Sequence, residues 1–430
     1  MTDRPLRFCI VGTFYPPYNF GGDGIYAYRL ANGLARLGHQ VTVLHSPTAY
    51  EMLAGGPPEA KNENHANVQV AGIRTPLGML GLLAVQQTGH PCFQGPALRH
   101  WLNQASYDVI HYNNVSLLGG PQVFRYGAGL KLCTLIEHWL VCPMHTLWRL
   151  DREVCTKPTC VRCTLHGRRP PQFWRYTGLM RQATRSIDAF IGPSLFTMRK
   201  HRECGIRGTM IQLPLFCSEP NAGSDMPHAT NHGRPYYLFV GRLETIKGGQ
   251  TLIPVFRNLH DTDLLIAGDG TLEQELRRQA NGAQNIKFLG RVDTDQLQNL
   301  YRNAIATLIP SLCYETFGVV AAESFANSTP VIAYAHSSLE EIVTNHGGGL
   351  TYRSQEALKN AIHRMLTDAA LRQRLGREGR DAYEKEFSEA VFLRNYLAVI
   401  HNLLEQKRTF DFPRSKPGTE SVFAGRTVFY

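Results

Sequence analysis

Two glutamates eight residues apart form the most specific chemical pattern in the chain. Glu315 and Glu323 lie within ETFGVVAAESFANSTPVI, which begins at the first of them. A strand ending at Ile309–Pro310 precedes the pair, and the apolar spacing predicts a helix from near Phe317. Glu315 then stands before the helix and Glu323 about two turns along it, so they can reach different parts of one ligand. Carboxylates suit the vicinal hydroxyls of a ribose or a hexose. Taken alone, the pair would more often be a capping acid and a surface acid.

Two further groups of residues are suited to an anionic ligand. The N-terminus of the predicted helix presents the N–H groups of Gly318 and Val319, which favour an anion. Arg242 and Lys247 follow the end of an earlier strand and flank a turn, where two cations can hold a diphosphate. As isolated residues, these two cations would more often be solvated surface charges.

A glycine-containing loop near the start of the chain is a third element suited to phosphate. Gly21, Gly22 and Gly24 allow a ligand to approach the backbone closely, because a Cβ atom would block it. The loop opens a helix, whose N-terminal amides favour phosphate. Glycine turns before helices are common, so the loop alone is weak support for a binding site.

Two consecutive β/α series position these residues. The first begins with the apolar strand LRFCIVG, a helix over 25–37 and the strand HQVTVLH, and the pattern restarts at Tyr236 with YYLFVG. Continuous apolar strands are typical of parallel sheets covered on both faces, so the two series predict two doubly wound domains. The polar stretch 221–234 is a predicted linker; one large sheet is the alternative. We expect an N-terminal domain over 1–220, a second domain over 221–384, and a C-terminal helix with a tail over 385–430.

The end of the chain is predicted to be helical and then irregular. Residues 372–406 form one long helical stretch that is too apolar to be free in solvent, so we expect it to pack on both domains and return to the N-terminal one. Residues 408–430 are expected to be an arm or a tail.

The motifs resemble those of a known family. ETFGVVAAESFANSTPVIA looks like the E-x7-E signature of the retaining GT-B glycosyltransferases of family 4, the glycosyl transferases group 1. The resemblance extends to FYPPYNFGGDGIYAYRLANGLARLGHQVTVL, LFVGRLETIKGG, LIAGDGTLEQEL and IKFLGRV, so residues 6–48 and 236–352 match well. It implies an α/β fold of the GT-B type, with two doubly wound, Rossmann-like domains facing a central cleft.

The resemblance also implies roles for individual residues. Arg242 and Lys247 would neutralise a diphosphate leaving group, Glu315 would contact the donor sugar, Glu323 the nucleotide ribose, and Arg291 the base pocket. The implied reaction moves a sugar from a nucleotide-diphosphate sugar to an acceptor hydroxyl with retained anomeric configuration. It requires no cofactor and no divalent metal, because cations and helix N-termini stabilise the leaving charge. The residues expected to bind the nucleotide sugar are Gly21, Gly22, Arg291, Phe317, Gly318, Val319 and Glu323.

The sequence departs from the family pattern at TLIEHWLVCP, residues 134–143. The family commonly has T-L-H-D-x-W-x-x-C-P, so Ile136 stands where a histidine would be and Glu137 where the acid would be. His138 lies two residues later and points to the same side of an extended strand as Ile136. We hypothesise that His138 substitutes for the missing histidine near the donor or acceptor hydroxyl; the alternative is a histidine packed beside Trp139.

Four cysteines form a cluster with metal-like spacing. Cys142-x12-Cys155-x4-Cys160-x2-Cys163 lies in a Cys-rich insertion near residues 142–170 of the N-terminal domain. Four thiolates can hold a tetrahedral zinc, so we expect a structural zinc site. Free or redox-active thiols and an iron–sulfur cluster are the alternatives.

A basic aromatic stretch follows the cysteines. HGRRPPQFWRYTGLMRQATR interleaves cations with aromatic rings, which suits an anionic membrane surface or single-stranded nucleic acid. GMLGLLAV, residues 78–85, is a second candidate for contact with a membrane or a lipid acceptor. An ordinary amphipathic helix is the alternative. The charged and aromatic residues of the stretch are Arg168, Arg169, Phe173, Trp174, Arg175, Tyr176, Arg181 and Arg185.

Length and composition are those of a globular protein of two or three domains. The chain has 430 residues, of which 43% are hydrophobic and 19% charged, which excludes disorder as a description of the whole. Its net charge of +10 favours an anionic partner. No apolar run is long enough to span a membrane and no signal peptide is recognised, so we expect a cytoplasmic protein, peripheral at most on the inner face of the membrane.

These observations favour a retaining, nucleotide-sugar-dependent glycosyltransferase. The acceptor is a glycan, a lipid-linked sugar or a small molecule. A catalytically weak relative that binds nucleotide sugar as a sensor or assembly partner is the alternative. A nucleic-acid-binding protein is disfavoured, because it would leave both β/α series without a role.

Overall fold

The computed structural model describes residues 4–59, 61–220 and 232–411. Most of the predicted linker, residues 221–231, and most of the predicted tail, residues 412–430, lie outside the described residues. Within them the chain forms two parallel sheets, each covered by helices on both faces. The prediction of a GT-B fold built from two Rossmann-like domains is therefore confirmed.

The N-terminal domain is a seven-stranded parallel sheet with strand order β3-β2-β1-β4-β5-β8-β9. Its central strands are mostly apolar and, apart from the exposed Arg7, buried on both faces, which is the reason that they form the middle of the sheet. A two-stranded hairpin, β6–β7, lies between β5 and β8. The strands are β1 (Arg7–Val11), β2 (Gln40–His45), β3 (Val68–Gly72), β4 (Val109–Tyr112), β5 (Leu130–Thr134), β6 (Trp148–Arg149), β7 (Glu153–Val154), β8 (Ala189–Gly192) and β9 (Met210–Gln212). The helices are α1 (Gly22–Arg36), α2 (Pro47–Ala54), α3 (Gly78–Thr88), α4 (Gly95–Gln104), α5 (Cys160–His166), α6 (Leu179–Thr184) and α7 (Leu195–Glu203), with 3-10 turns at Cys92–Gln94, Pro121–Arg125 and Phe173–Tyr176.

The second domain is a six-stranded parallel sheet with strand order β12-β11-β10-β13-β14-β15. In both sheets the strand order reverses beside the first strand, between β1 and β4 and between β10 and β13, and ligands of doubly wound folds bind at such points. The strands are β10 (Tyr236–Val240), β11 (Asp263–Ala267), β12 (Ile286–Gly290), β13 (Thr307–Ile309), β14 (Val331–Tyr334) and β15 (Gly349–Tyr352). The helices are α8 (Ile253–Phe256), α9 (Glu273–Gln279), α10 (Thr294–Asn303), α11 (Val319–Ala326), α12 (Ser338–His346), α13 (Gln355–Thr367) and α14 (Ala369–Ala382), with 3-10 turns at Thr245–Lys247 and Gly249–Thr251.

The C-terminal helical stretch is not continuous, contrary to the prediction of one helix over 372–406. Helix α14 passes into a π-helical turn, Tyr383–Phe387, and a new helix, α15 (Glu389–Asp411), begins after Ser388. Ser388 has extended backbone angles, which no helix can contain, and Phe387 is fully buried beneath the break. The apolar periodicity continues across the break, so the sequence pattern does not reveal it.

Helix α15 packs against α1 and β5 of the N-terminal domain. Phe392 stacks on Phe216 with 4.5 Å between ring centroids, and the Tyr396 hydroxyl lies 2.6 Å from Nδ1 of the buried His111. One buried apolar cluster includes side chains of α1, α11 and α15, so the core is continuous between the two sheets.

Candidate active site

The carboxyl ends of β10 and β13 bring two of the predicted site residues together. The two strands are hydrogen-bonded neighbours, so the Lys247 turn after β10 and the Glu315 loop after β13 leave the same edge of the sheet. Gly248 makes their close approach feasible: its φ is +75°, and a Cβ atom there would lie 1.9 Å from the Pro310 carbonyl oxygen. Only glycine fits at this position.

Lys247 and Glu315 form a half-buried ion pair, with 2.6 Å between Nζ and Oε1. Ser311 donates a second hydrogen bond of 2.7 Å to the same carboxylate oxygen. Burial would raise the pKa of Glu315, but the Lys247 ammonium and the two hydrogen bonds outweigh it and hold that pKa below its usual range. Burial alone would lower the pKa of Lys247, and the Glu315 charge raises it instead. Both groups are therefore charged at neutral pH.

The chain turns sharply between Glu315 and α11, and Gly318 makes the turn. Its φ is +111°, and a Cβ atom there would lie 2.7 Å from a methyl carbon of Leu339. Ser338 Oγ donates to the carbonyl oxygens of Glu315 and Phe317 and fixes the loop. The Phe317 ring is buried in the core, so this predicted donor-binding residue offers only its backbone.

Helix α11 begins at Val319, at the edge of the sheet where Glu315 lies. In the part of the chain that the structure describes, the amides of Gly318 and Val319 have no acceptor, so they are free to bind an anion.

Glu323 lies further along α11 and contacts a different set of residues. The Tyr301 hydroxyl donates to its Oε2 at 3.2 Å. Burial raises the pKa of Glu323, while the Arg29 guanidinium on α1 and the Tyr301 hydrogen bond act in the opposite direction. The sequence does not predict the roles of Tyr301 and Arg29 beside Glu323, or of Ser311 beside Glu315, because only the folded chain brings each residue to its glutamate. The spacing of Ser311, four residues before Glu315, is the one weak signal.

The two arginines of the predicted site lie on the surface. Arg242 follows β10, donates to Glu244 at 3.0 Å and is close enough to Lys247 to oppose its protonation. Arg291 follows β12 and donates to Asp269 Oδ2 at 2.8 Å. Both side chains are exposed, and their partners are surface carboxylates.

The glycine loop before α1 is open where the sequence predicts a ligand. A Cβ atom on Gly21 or on Gly22 would meet nothing within 4 Å, so a ligand can approach this backbone. Gly24 has a different role, because a Cβ atom there would lie 2.3 Å from the Asn19 side-chain oxygen. That side chain bonds both backbone groups of Gly21 and shapes the loop.

His138 is buried in the interface between the two domains and does not face an open part of the cleft. It is 1% exposed, it stacks on His201 with 5.4 Å between centroids, and its Nε2 lies 3.3 Å from the Tyr314 carbonyl oxygen. Burial, then the neighbouring His201, lowers the pKa of His138 to about 3, so the ring is neutral. The Oε2 atom of its neighbour Glu137 lies 2.7 Å from Nδ1 of His145.

The N-terminal domain also contacts the loop that carries Glu315. The Thr316 carbonyl oxygen accepts hydrogen bonds from the Ser194 and Thr197 hydroxyls at 2.8 and 2.9 Å. The Thr316 hydroxyl donates to the Ile136 carbonyl oxygen at 2.9 Å. The position of Glu315 is therefore fixed partly by the opposite domain.

A second contact across the domains involves Glu341 of α12. Its carboxylate oxygens accept from the amides of Leu195 and Phe196, at 2.8 and 2.9 Å. These are the first two amides of α7, and Ser194 accepts from the third, that of Thr197. The N-terminus of a helix in one domain is thus completed by a carboxylate from the other.

The predicted zinc site is not supported. Across residues 4–59, 61–220 and 232–411, no three His, Cys, Asp or Glu side chains are arranged to hold a metal ion. Cys155 Sγ faces the Lys157 carbonyl oxygen at 3.7 Å and Cys163 Sγ faces the Thr159 hydroxyl at 3.6 Å. Burial raises the pKa of the Cys155 thiol, and the nearby Cys142, Cys160 and Cys163 raise it further, so the four thiols lie in one region although they form no metal-holding arrangement among the described residues. All four, Cys142, Cys155, Cys160 and Cys163, are free cysteines.

Two doubly wound domains, with the Lys247–Glu315 ion pair at the switch point of the second, are the architecture of the GT-B class of glycosyltransferases. Residues 21–214 match the profile of the glycosyl transferase 4-like domain, and residues 224–382 match that of the glycosyl transferases group 1. These matches cover most of the chain, and the protein belongs to the group 1 glycosyltransferases.

Individual relatives agree with this assignment. The chain is 27% identical to a glycogen synthase of Mycobacterium tuberculosis over 405 residues, 89% of this chain and 91% of that protein. The fold is similar to a sucrose-phosphate synthase of Thermosynechococcus elongatus, with a TM-score of 0.72 and 22% identity over 94% of this chain and 100% of that one. It is also similar to HepE of Anabaena in complex with UDP and glucose, with a TM-score of 0.65 and 16% identity over 92% and 100% of the two chains. No helix within the described residues has the length and apolarity needed to cross a membrane.

Proposed function

We propose that the protein transfers a sugar from a nucleotide-diphosphate sugar to an acceptor hydroxyl and retains the anomeric configuration. The observation that carries the proposal is the Lys247–Glu315 ion pair at the carboxyl ends of β10 and β13. An ammonium and a carboxylate held 2.6 Å apart offer a diphosphate and a sugar hydroxyl adjacent partners.

Each site residue has a role in this reaction that follows from its position. Lys247 binds the diphosphate and stabilises the charge that develops on it, and the exposed Arg242 turns from Glu244 toward the same phosphates. The free amides at the start of α11 add partial positive charge. Glu315 accepts hydrogen bonds from the donor sugar.

Glu323 lies about one turn along α11, beside Tyr301 of α10, where it accepts from the ribose hydroxyls. Arg291 borders the base. The open backbone of Gly21 and Gly22 faces the phosphates from the N-terminal domain. We also propose that His138 positions the Tyr314–Thr316 loop beside the reacting sugar, because its ring is neutral and contacts that loop.

The chemistry follows from this charge distribution. As the bond from the anomeric carbon to the diphosphate breaks, negative charge accumulates on the phosphate oxygens, where two cations and the helix amides are concentrated. The acceptor hydroxyl attacks from the same face, and the departing phosphate takes its proton. Turnover that is unchanged in the presence of a metal chelator is expected, because the cationic side chains supply the charge that a metal would supply.

A thermal-shift panel tests the donor site. UDP, GDP, ADP, CMP and their common sugars are each added to wild type, to Glu323→Ala and to Glu356→Ala, an exposed acid on α13 that serves as a matched control. A ligand at a hundred times its dissociation constant adds about 2.7 kcal/mol of stability. We expect one nucleotide to stabilise wild type and the control but not Glu323→Ala. Stabilisation of all three proteins by the same ligand would contradict the ribose contact, and no shift with any nucleotide would contradict the proposed function.

A further inference from the structure

Two segments of the N-terminal domain contain no acidic residue. From Asn64 to Tyr107 and from Thr156 to Ile187 there is no Asp or Glu, although the chain has 35 of them. The second segment carries seven cations, which are Lys157, Arg162, Arg168, Arg169, Arg175, Arg181 and Arg185. Two acid-free segments in one domain would give that domain a surface of one charge sign if the fold brought them together.

The fold does bring them together. Helix α3 comes from the first segment and packs against the 3-10 turn Phe173–Tyr176 of the second. The Trp174 indole donates to the Gln86 carbonyl oxygen at 2.8 Å, and the Gln87 side chain reaches the Pro170 carbonyl oxygen at 3.5 Å. Helix α2 also packs against α3.

This surface, α2, α3 and the turn 173–176, exposes large apolar side chains. Leu80 is 69% exposed, Phe173 64% and Tyr176 66%, and Leu53 and Leu77 are also exposed. Single exposed apolar residues are ordinary, but neighbouring elements that present five of them form a patch that fits a partner.

Three exposed cations beside the patch have no acidic partner in the part of the chain that the structure describes. Arg168 and Arg169 lie shortly before the turn and Arg181 follows it on α6. None of the three makes an ion pair with any residue in the described ranges. Arg175 differs, because its guanidinium is turned inward to the carbonyl oxygens of Trp139 and Leu140. The free cations and the apolar side chains therefore share one surface.

The surface extends to the rim of the cleft. Phe20, which directly precedes Gly21 of the glycine loop, is itself exposed and stacks on Tyr50 of α2 with 4.6 Å between ring centroids. A molecule bound to this surface would therefore extend to the acceptor side of the cleft.

We propose that the α2–α3 surface docks on an anionic phospholipid bilayer and that the acceptor is a lipid-linked hydroxyl presented from it. The choice of acceptor rests on the proposed function; the docking does not. Unpaired arginines attract anionic headgroups, and aliphatic side chains such as Leu53, Leu77 and Leu80 enter the boundary between headgroups and acyl chains. Single-stranded nucleic acid would use the aromatic rings but would leave these aliphatic side chains in water.

Co-sedimentation of the full chain with phospholipid vesicles tests the docking. Binding of the wild-type protein is measured to vesicles of phosphatidylcholine alone and to vesicles that also contain phosphatidylglycerol. We expect binding only to the second kind, weakened by added salt. The double variant Arg168→Gln/Arg169→Gln should bind about 30-fold more weakly, because each cation near the surface contributes about one kcal/mol. Leu80→Gln should bind about tenfold more weakly.

The matched control removes two cations from the other domain. Arg277→Gln/Arg278→Gln on α9 makes the same change in net charge at exposed positions, and it should bind vesicles like wild type. Equal loss in the control and in the test pair, or equal binding to both kinds of vesicle, would overturn the proposal. Binding of a single-stranded RNA oligonucleotide that is lost with the arginine pair and kept in Leu80→Gln would overturn it in favour of nucleic acid.

The two proposals fail separately. The surface variants should keep the nucleotide-induced thermal shift of wild type, because none of the changed side chains lies at the donor site. Vesicle binding without a nucleotide shift would leave the docking and remove the proposed function. A nucleotide-induced thermal shift without vesicle binding would support the proposed function and overturn the docking.

Discussion

Glu341→Ala removes the carboxylate by which α12 completes the N-terminus of α7 in the other domain. Two amides, those of Leu195 and Phe196, lose acceptors at 2.8 and 2.9 Å, while Ser194 still serves the third. Loss of a capping acceptor costs about 1 kcal/mol, and loss of a negative charge at a helix N-terminus costs about 0.5 kcal/mol more. We therefore expect the contact between the domains to weaken by about 1.5 kcal/mol, which is about tenfold in an equilibrium constant.

Two measurements follow from this magnitude. The melting temperature should fall by about 2 °C, because a change of this size is small against the unfolding entropy of a long chain. The KM for the nucleotide sugar should rise by up to about tenfold, since the contact helps to hold the domain arrangement in which Thr316 is bound from both sides. Glu341→Gln keeps one acceptor oxygen and should lie between wild type and the alanine variant.

Glu340→Ala is the matched control. Glu340 precedes Glu341 on the same helix and makes an exposed ion pair with Arg353, which contributes at most about 0.5 kcal/mol. If both alanine variants changed the KM and the melting temperature equally, the contact between the domains would not be the cause and the reasoning would be refuted.

Three further outcomes are expected. Lys247→Met should lower kcat by about a hundredfold, because it removes positive charge from the leaving group and leaves Glu315 unpaired; an unchanged initial rate of donor consumption would contradict this. Tyr301→Phe should weaken nucleotide binding about fivefold in calorimetric titration, through lost support of Glu323, and equal affinity in both proteins would count against that contact. The pKa of His138 is lowered to about 3 by burial, so below pH 6.5 the unfolded chain takes up a proton that the folded chain does not. The stability from this residue is complete above pH 6.5 and falls by about 2 kcal/mol at pH 5. Denaturant unfolding of wild type and His138→Leu at both pH values should therefore give a shallower pH dependence in the variant, and identical slopes would exclude this residue as the cause.

The sequence predicts the parts of this molecule that local patterns determine. Apolar runs predict the first strands of both sheets, such as β1, β2 and β10. The family resemblance, and not the local pattern, implies that Lys247 and Glu315 act on the same donor. The position of Gly318 before a helix follows from residue type and spacing.

Contacts between distant parts of the chain leave no such pattern. Glu341 meets α7 from 145 positions away in the sequence, and an acid in the first turn of α12 reads as an ordinary surface residue. The cysteines are the opposite case: their spacing is typical of a metal site, but within the described residues their side chains are not arranged to hold a metal ion. The break before Ser388 is hidden because the apolar period continues through it.

The return of the chain through Ser388 determines how the two domains can move. The polypeptide crosses between the domains twice, once after Cys217 and once at Ser388, and these two crossings lie side by side as a parallel bridge, with the Cys217 amide donating to the Phe387 carbonyl oxygen at 3.2 Å. Two adjacent connections favour rotation of one domain about the line through them. They oppose translation of that domain and free twisting about a single connection. We therefore expect the contacts at Thr316 and Glu341 to open by rotation about the line through Cys217 and Ser388.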